Sequence, residues 1–273
     1  MKINYRLIVS DFDGTLIDDN QQILPEVKAA IDEYVAAGGI FAICTGRMLS
    51  SILPQARALG LKGLVIAYQG TVIADIETGK IIKQGGMNSG DVAEICNSIE
   101  ELGYGLNVYC DEKIYTDYPD DNIYLKRYEE IIGVKAVHID GKMSEYIIKN
   151  NMFCQKVLTI VSENERDGLY SKLCNRYGER FDVTCSAKVL VEVSPIGDNK
   201  GEALKFLAQY YNVPIEKTVA VGDNLNDLSM IKVAGMGCSV GNAEVQLKDV
   251  ADFISVSNNE GAVAQIIKKF GFA

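Results

Sequence analysis

Asp11 and Asp13 flank Phe12 and precede Gly14, placing two carboxylates beside a residue that lets the backbone turn sharply. They follow a short, mainly apolar run over residues 5–10, which predicts a strand buried on both faces and sets Asp11 at its carboxyl end. Alone, Asp-x-Asp-Gly also reads as ordinary turn chemistry. A second acidic set strengthens the chemical reading. Gly222-Asp223-Asn224-Leu225-Asn226-Asp227 follows another buried strand over residues 218–221. In an open parallel sheet, ligands collect beyond the carboxyl ends of the strands, where both sets would arrive. If Asp11, Asp13 and Asp223 come within ~4 to 5 Å, each pair repels by a few kcal/mol at an effective dielectric of about 20. A hard divalent cation relieves that repulsion, and oxygen donors suit Mg²⁺. Calcium would require more carboxylates. Zinc lacks its ligands, because the single histidine is His138 and the cysteines are scattered.

Two further groups could hold an anion. Thr45 and Gly46 end a second apolar strand and lead into a helix, so a hydroxyl and backbone N–H groups form an oxyanion cradle. Thr45 could equally serve as a plain N-cap. Lys200 opens a helical stretch over residues 201–211, where a cation opposes the helix dipole by ~0.3 to 1 kcal/mol. A bound anion would offset that cost; a solvated lysine beside Glu202 is the alternative.

These residues need a scaffold to bring them together. Pro25 suits the first turn of a helix whose apolar face carries Val27, Ala30, Ile31, Tyr34 and Val35, ending at Gly38-Gly39. Strands follow over residues 40–44 and Leu64–Ala67, and the strand–helix grammar returns after Lys200. This alternation predicts an α/β fold: a Rossmann-like parallel sheet with helices on both faces. From residue 84 to 190 the pattern changes to helices followed by alternating hairpins, such as Leu106, Val108 and Cys110 before a turn at residues 111–113. We therefore expect core segments at 1–83 and 191–273 around an inserted α+β cap at 84–190. Hinges are expected near residues 83–86 and 191–195. Asn88 with Asp91, and Ser162 with Glu165 as a capping box, mark helix starts in the insert. Its two helix-plus-hairpin halves hint at a duplication.

The chain has 273 residues, 48% hydrophobic and 23% charged, with a formal net charge of −10. That length supports one large or two modest domains with a substantial core. An acidic total without a Lys/Arg block argues against nucleic acid and anionic membranes as partners. No signal-peptide pattern or membrane-length apolar run is present. Seven cysteines, never in C-x-x-C, fit a reducing compartment. The expectation is a soluble cytoplasmic protein.

Read in order, Asp-Phe-Asp-Gly-Thr-Leu, Thr-Gly-Arg, Lys-Gly-Glu-Ala-Leu and Gly-Asp-Asn-Leu-Asn-Asp-Leu-Ser-Met resemble the four motifs of the haloacid dehalogenase superfamily. The resemblance is to its Cof-like phosphatases (subclass IIB), with a large α/β cap between the second and third motifs. It spans essentially the whole chain and includes a closing loop at Val240-Gly241-Asn242-Ala243 and later Ala251-Asp252. It implies a Mg²⁺-dependent phosphatase acting on small phosphorylated metabolites, most commonly sugar phosphates, under a cap that closes over the substrate. Asp11 would be the nucleophile that forms an aspartyl-phosphate and also a metal ligand. Asp13 would be the acid and base, with its backbone carbonyl on the metal, and Asp223 the other protein ligand. Thr45, Gly46, Lys200, the Phe12 N–H and Asn226 would hold the phosphoryl group, and Asp227 would orient Lys200 or metal-bound waters.

The chain departs from the family at Gln69, where Asn usually precedes Gly. Arg47 could contact substrate or anchor its loop, His138 reads as a polar residue of the insert, and the tyrosines between 115 and 128 as cap core and rim. Two other readings use the same motifs: a phosphomutase, which returns the phosphoryl to a sugar, and a non-catalytic phospho-aspartate switch. The switch would be shorter and would not need a hundred-residue insert.

Overall fold

The opening apolar run forms the strand Leu7–Ser10 in the computed structural model, which describes residues 2–273. Leu7, Ile8 and Val9 are fully buried, as are Val219, Ala220 and Val221 of the neighbouring strand Thr218–Gly222. Such runs, without alternation, suit a parallel sheet covered on both faces. The sheet has five parallel strands in the order Phe253–Ile254, Met236–Ser239, Thr218–Gly222, Leu7–Ser10, Ile40–Ile43. From Leu7–Ser10 the chain builds outward on one side through Ile40–Ile43, then returns to build outward on the other. The topological switch point therefore lies between Leu7–Ser10 and Thr218–Gly222, where such sheets hold their ligands.

The helix Pro25–Ala36 begins at its proline and buries Val27, Ala30, Ile31 and Tyr34, while the Tyr34 hydroxyl donates to the Tyr5 carbonyl at 2.7 Å. Val35, expected on the buried face, is 41% exposed because it lies at the edge of the stripe. Leu64–Ala67 does not continue the strand–helix alternation. It joins the parallel sheet by one bridge, Cys44 to Ile66, then turns at Tyr68–Gly70 and pairs antiparallel with Val72–Asp75.

The chain divides into two units. One comprises the chain up to Gly46, Ile52–Ile82 and Asn199–Ala273; the other comprises Arg47–Ser51 and Lys83–Asp198. The boundary expected at 190/191 falls inside the strand Leu190–Pro195, which pairs antiparallel with Phe181–Ala187 and Lys156–Ile160. Residues 191–195 are thus a sheet interior rather than a hinge, with Val191 and Val193 each 1% exposed.

The second unit has a six-stranded sheet ordered Phe181–Ala187, Leu190–Pro195, Lys156–Ile160, Asn107–Cys110, Lys113–Thr116, Ala136–His138. All neighbours are antiparallel except the last pair. Each expected half is present: helix Ser89–Glu101 precedes the hairpin over 107–116, and helix Glu163–Tyr177 precedes the hairpin over 181–195. Asn88 accepts from the Asp91 N–H at 3.0 Å and caps the first helix. The capping box expected at Ser162 does not form; its hydroxyl donates to the Glu165 carboxylate at 2.6 Å and leaves the backbone uncapped by that side chain. Among the described residues, no helix is long and apolar enough to cross a membrane, and all seven cysteines are free thiols.

Candidate active site

Strand register brings the motif residues together. Ser10 pairs with Val221 on one side and Ile43 on the other. One residue further on, the Asp11 N–H donates to the Val221 carbonyl at 2.9 Å and the Cys44 N–H to the Ser10 carbonyl at 2.9 Å. Asp11, Thr45 and Asp223 thus leave neighbouring strand ends. Gly14 is required in the turn beyond Asp11: its φ is +74°, and a Cβ there would lie 2.8 Å from Asp223 Oδ2.

The third motif reaches the same place from helix Lys200–Tyr210, which Asn199 caps by accepting from the Glu202 N–H at 3.1 Å. Lys200 occupies the first position of the helix and is fully buried, so the solvated-lysine reading does not hold. Its ammonium donates to Asp11 Oδ1 at 2.5 Å and Asp227 Oδ1 at 2.6 Å. Asp227 is itself fixed, since its Oδ2 accepts from the N–H groups of Asp223 and Asn224 at 2.9 and 3.0 Å. Both Asp227 oxygens are thus hydrogen-bonded, one to Lys200 and the other to the backbone of its own loop. Asp223 accepts from the Thr15 hydroxyl at 2.8 Å.

The carboxylates of Asp11, Asp223 and Asp227 lie within 4.8 Å of one another. Against them stands one ammonium, leaving an excess of two negative charges. The proton affinities register this. Burial pushes the Asp11 carboxyl well above the usual range; Lys200 opposes the effect, and Asp227, Asp223 and Asp13 add to it. Burial also pushes Asp223 up to about 7, reinforced by Asp227 and resisted by the Thr15 hydrogen bond and Lys200. For Lys200 burial works downward, but Asp11 and Asp227 outweigh it, so the ammonium stays charged. One divalent cation would balance the excess, and an all-carboxylate set fits Mg²⁺. Asp11 and Asp223 could hold it with their side chains. Asp13 stands outside this trio, near enough for its charge to act on Asp11.

Around this centre Phe12 and Thr45 are buried, and the Gln69 N–H donates to the Thr45 carbonyl at 2.9 Å. A Cβ on Gly46 would lie 2.4 Å from Gln69 Nε2, and the Asn226 amide donates to Gln69 Oε1 at 3.0 Å. The closing loop acts as a brace. Asn242 donates to the Gly14 carbonyl at 2.8 Å, and the Glu244 N–H to the Asp223 carbonyl at 2.8 Å. Asn258 ties in the first loop by donating to the Ile17 carbonyl at 3.0 Å. Sequence reasoning missed Thr15 and Asn258. The position of Thr15 directly after Asp-x-Asp-Gly is a usable signal; Asn258 offers none. Arg47 falls in the other unit, as does His138, whose Nδ1 lies 2.9 Å from the Tyr118 carbonyl on an exposed edge strand.

The chain matches the model of a family described as haloacid dehalogenase-like hydrolase over residues 8–267. It is 29% identical to the phosphatase YwpJ of Bacillus subtilis, covering 96% of this chain and 99% of that protein. It is 26% identical to the 5-amino-6-(5-phospho-D-ribitylamino)uracil phosphatase YcsE of the same organism, covering 97% and 96%. A solved haloacid dehalogenase-like hydrolase from B. subtilis superposes with a TM-score of 0.85 at 27% identity, covering 96% of this chain and 99% of that one.

Proposed function

Because the chain belongs to the haloacid dehalogenase-like hydrolases and is a phosphatase of their Cof type, we propose that it hydrolyses small phosphate monoesters, sugar phosphates first among them, through a phosphorylated Asp11. The observation that carries this reading is Asp11 at the switch point, paired with a buried Lys200. An Asp11 oxygen attacks phosphorus and the ester P–O bond breaks, with Asp13 supplying the proton to the leaving oxygen. Asp13 then takes a proton from water, which attacks the same phosphorus, releasing phosphate and restoring Asp11.

Charge in such a transfer accumulates on the equatorial phosphoryl oxygens, so positioned positive groups supply most of the acceleration. Lys200, the Phe12 N–H, Thr45, Gly46 and Asn226 are the groups we assign to those oxygens. Asp11, Asp223 and the Asp13 carbonyl would hold Mg²⁺, which would supply electrostatic stabilisation of the phosphoryl group. Asp227 keeps Lys200 aimed. The phosphoribityl compound in the name of YcsE is consistent with a polyhydroxylated leaving group for this chain as well. The free thiols suit a reducing compartment such as the cytoplasm.

The test is release of inorganic phosphate from a panel of phosphate esters with and without Mg²⁺, run beside Asp11→Asn. Metal-dependent release by the wild type and none by the variant is the expected result. Equal rates for the two proteins would remove Asp11 from the nucleophile's role.

A further inference from the structure

The turn Tyr68–Gly70 runs through the left-handed region beside the site. Three successive residues have positive φ: Tyr68 at 50°, Gln69 at 60° and Gly70 at 114°. Two of them carry side chains, and both are buried. Left-handed non-glycine residues persist where the surroundings over-determine them, and they cluster at functional sites.

The surroundings here are the other motif loops. The Gln69 N–H is tied to the Thr45 carbonyl. Gly70 seats against the start of the Lys200 helix, where a Cβ would lie 2.6 Å from the Asn199 carbonyl. The side chain of Gln69 is thereby directed between Gly46 and Asn226. Its Oε1 takes one hydrogen of the Asn226 amide, while Asn226 Oδ1 is buried without a hydrogen-bond partner among the described residues. An amide nitrogen carries two hydrogens. Engaging one on Gln69 fixes the plane of the amide, which end is the donor, and where the second hydrogen points.

We propose that Gln69 is a positioning residue that presents the Asn226 amide to the phosphoryl group, and that the strained turn exists to place its acceptor. This rests on the phosphatase reading of the site and adds to it a specific coupling between two residues 157 positions apart. Gln69 acts through Asn226, so losing either should weaken the same contact, and losing both should cost no more than losing Asn226.

The experiment compares wild type, Gln69→Met, Asn226→Ala and the double variant. It measures kcat, KM and inhibition by inorganic phosphate. It also follows the side-chain amide NMR resonances of Asn226, identified by their loss in Asn226→Ala. Each single variant should weaken phosphate inhibition and kcat/KM by about 10- to 100-fold, the range for one hydrogen bond to a charged group. The double variant should match Asn226→Ala. In Gln69→Met the Asn226 amide resonances should move and lose their response to added phosphate, which a merely structural loosening of the turn would not single out. Multiplicative losses in the double variant, or wild-type phosphate response in Gln69→Met, would overturn the proposal. If no ester is turned over, the phosphatase reading fails, and the phosphate response of the amide still decides the coupling.

Discussion

Raising the pH of the metal-free protein should weaken its fold, and the site sets both the sign and the size. Asp223 has a pKa of about 7 in the folded chain against an ordinary value of 3.8. The folded state therefore holds this proton more tightly than the unfolded state. Stability is greatest below the unfolded value and declines as pH rises through 7, where the folded carboxyl ionises. Linkage over that interval gives a loss of about 2 kcal/mol between pH 5.5 and 8.5. Asp11, also raised by burial, acts in the same direction.

Few other groups obscure this window, because the chain has one histidine, and it is exposed in the other unit. Mg²⁺ should replace the proton, so at saturating metal the slope should vanish and the alkaline protein should gain stability. The assay is urea unfolding followed by far-ultraviolet circular dichroism at several pH values, with EDTA or with Mg²⁺, for wild type and Asp223→Asn. Removing the titrating group should reduce the metal-free slope. The reasoning fails if metal-free stability is flat across the interval, or if the slope is the same with and without Mg²⁺.

Lys200→Met should lower kcat by about 10²- to 10³-fold, as loss of a preorganised transition-state donor does. It should also destabilise the fold by about 3 to 5 kcal/mol by leaving Asp11 and Asp227 without their cation, both read from turnover and denaturant midpoints. Asp11→Asn should abolish phosphate release yet raise the melting temperature of the metal-free protein, because it removes one charge from an over-acidic cluster; a lower temperature would contradict that ledger of charge. Gly14→Ala forces a left-handed Ala against Asp223 and should cost about 1 to 3 kcal/mol, with a weaker dependence of activity on Mg²⁺ concentration as the second readout. Asn88→Ala removes a cap on the helix Ser89–Glu101 and should cost about 1 kcal/mol in thermal unfolding while leaving turnover intact.

Local chemistry in the sequence was enough to determine the parallel core and the sheet edge at which Asp11 and Asp223 meet. The apolar runs at Leu7–Ser10 and Thr218–Gly222 could be stable only inside a covered sheet, and each ends in an acidic motif. Strand ends in such a sheet share an edge, so Asp11 and Asp223 meet by topology alone. The proline before residue 26 and the Asn88 cap likewise act within a few residues of themselves.

Tertiary structure decided what depends on partners remote in the chain. Residues 190–195 have the same apolar look whichever sheet receives them, and their pairing with Phe181–Ala187 and Lys156–Ile160 assigned them to the cap. The sequence left Lys200 between an anion-binding cation and a solvated surface lysine, and only its enclosure by Asp11, 189 residues away, and Asp227 decided between them. The strained turn at Gln69 gives no local warning, because its strain is sustained by Thr45, Asn199 and Asn226 together. Hydrogen bonds and burial between distant segments carry no periodicity along the chain, so only the folded arrangement could reveal them.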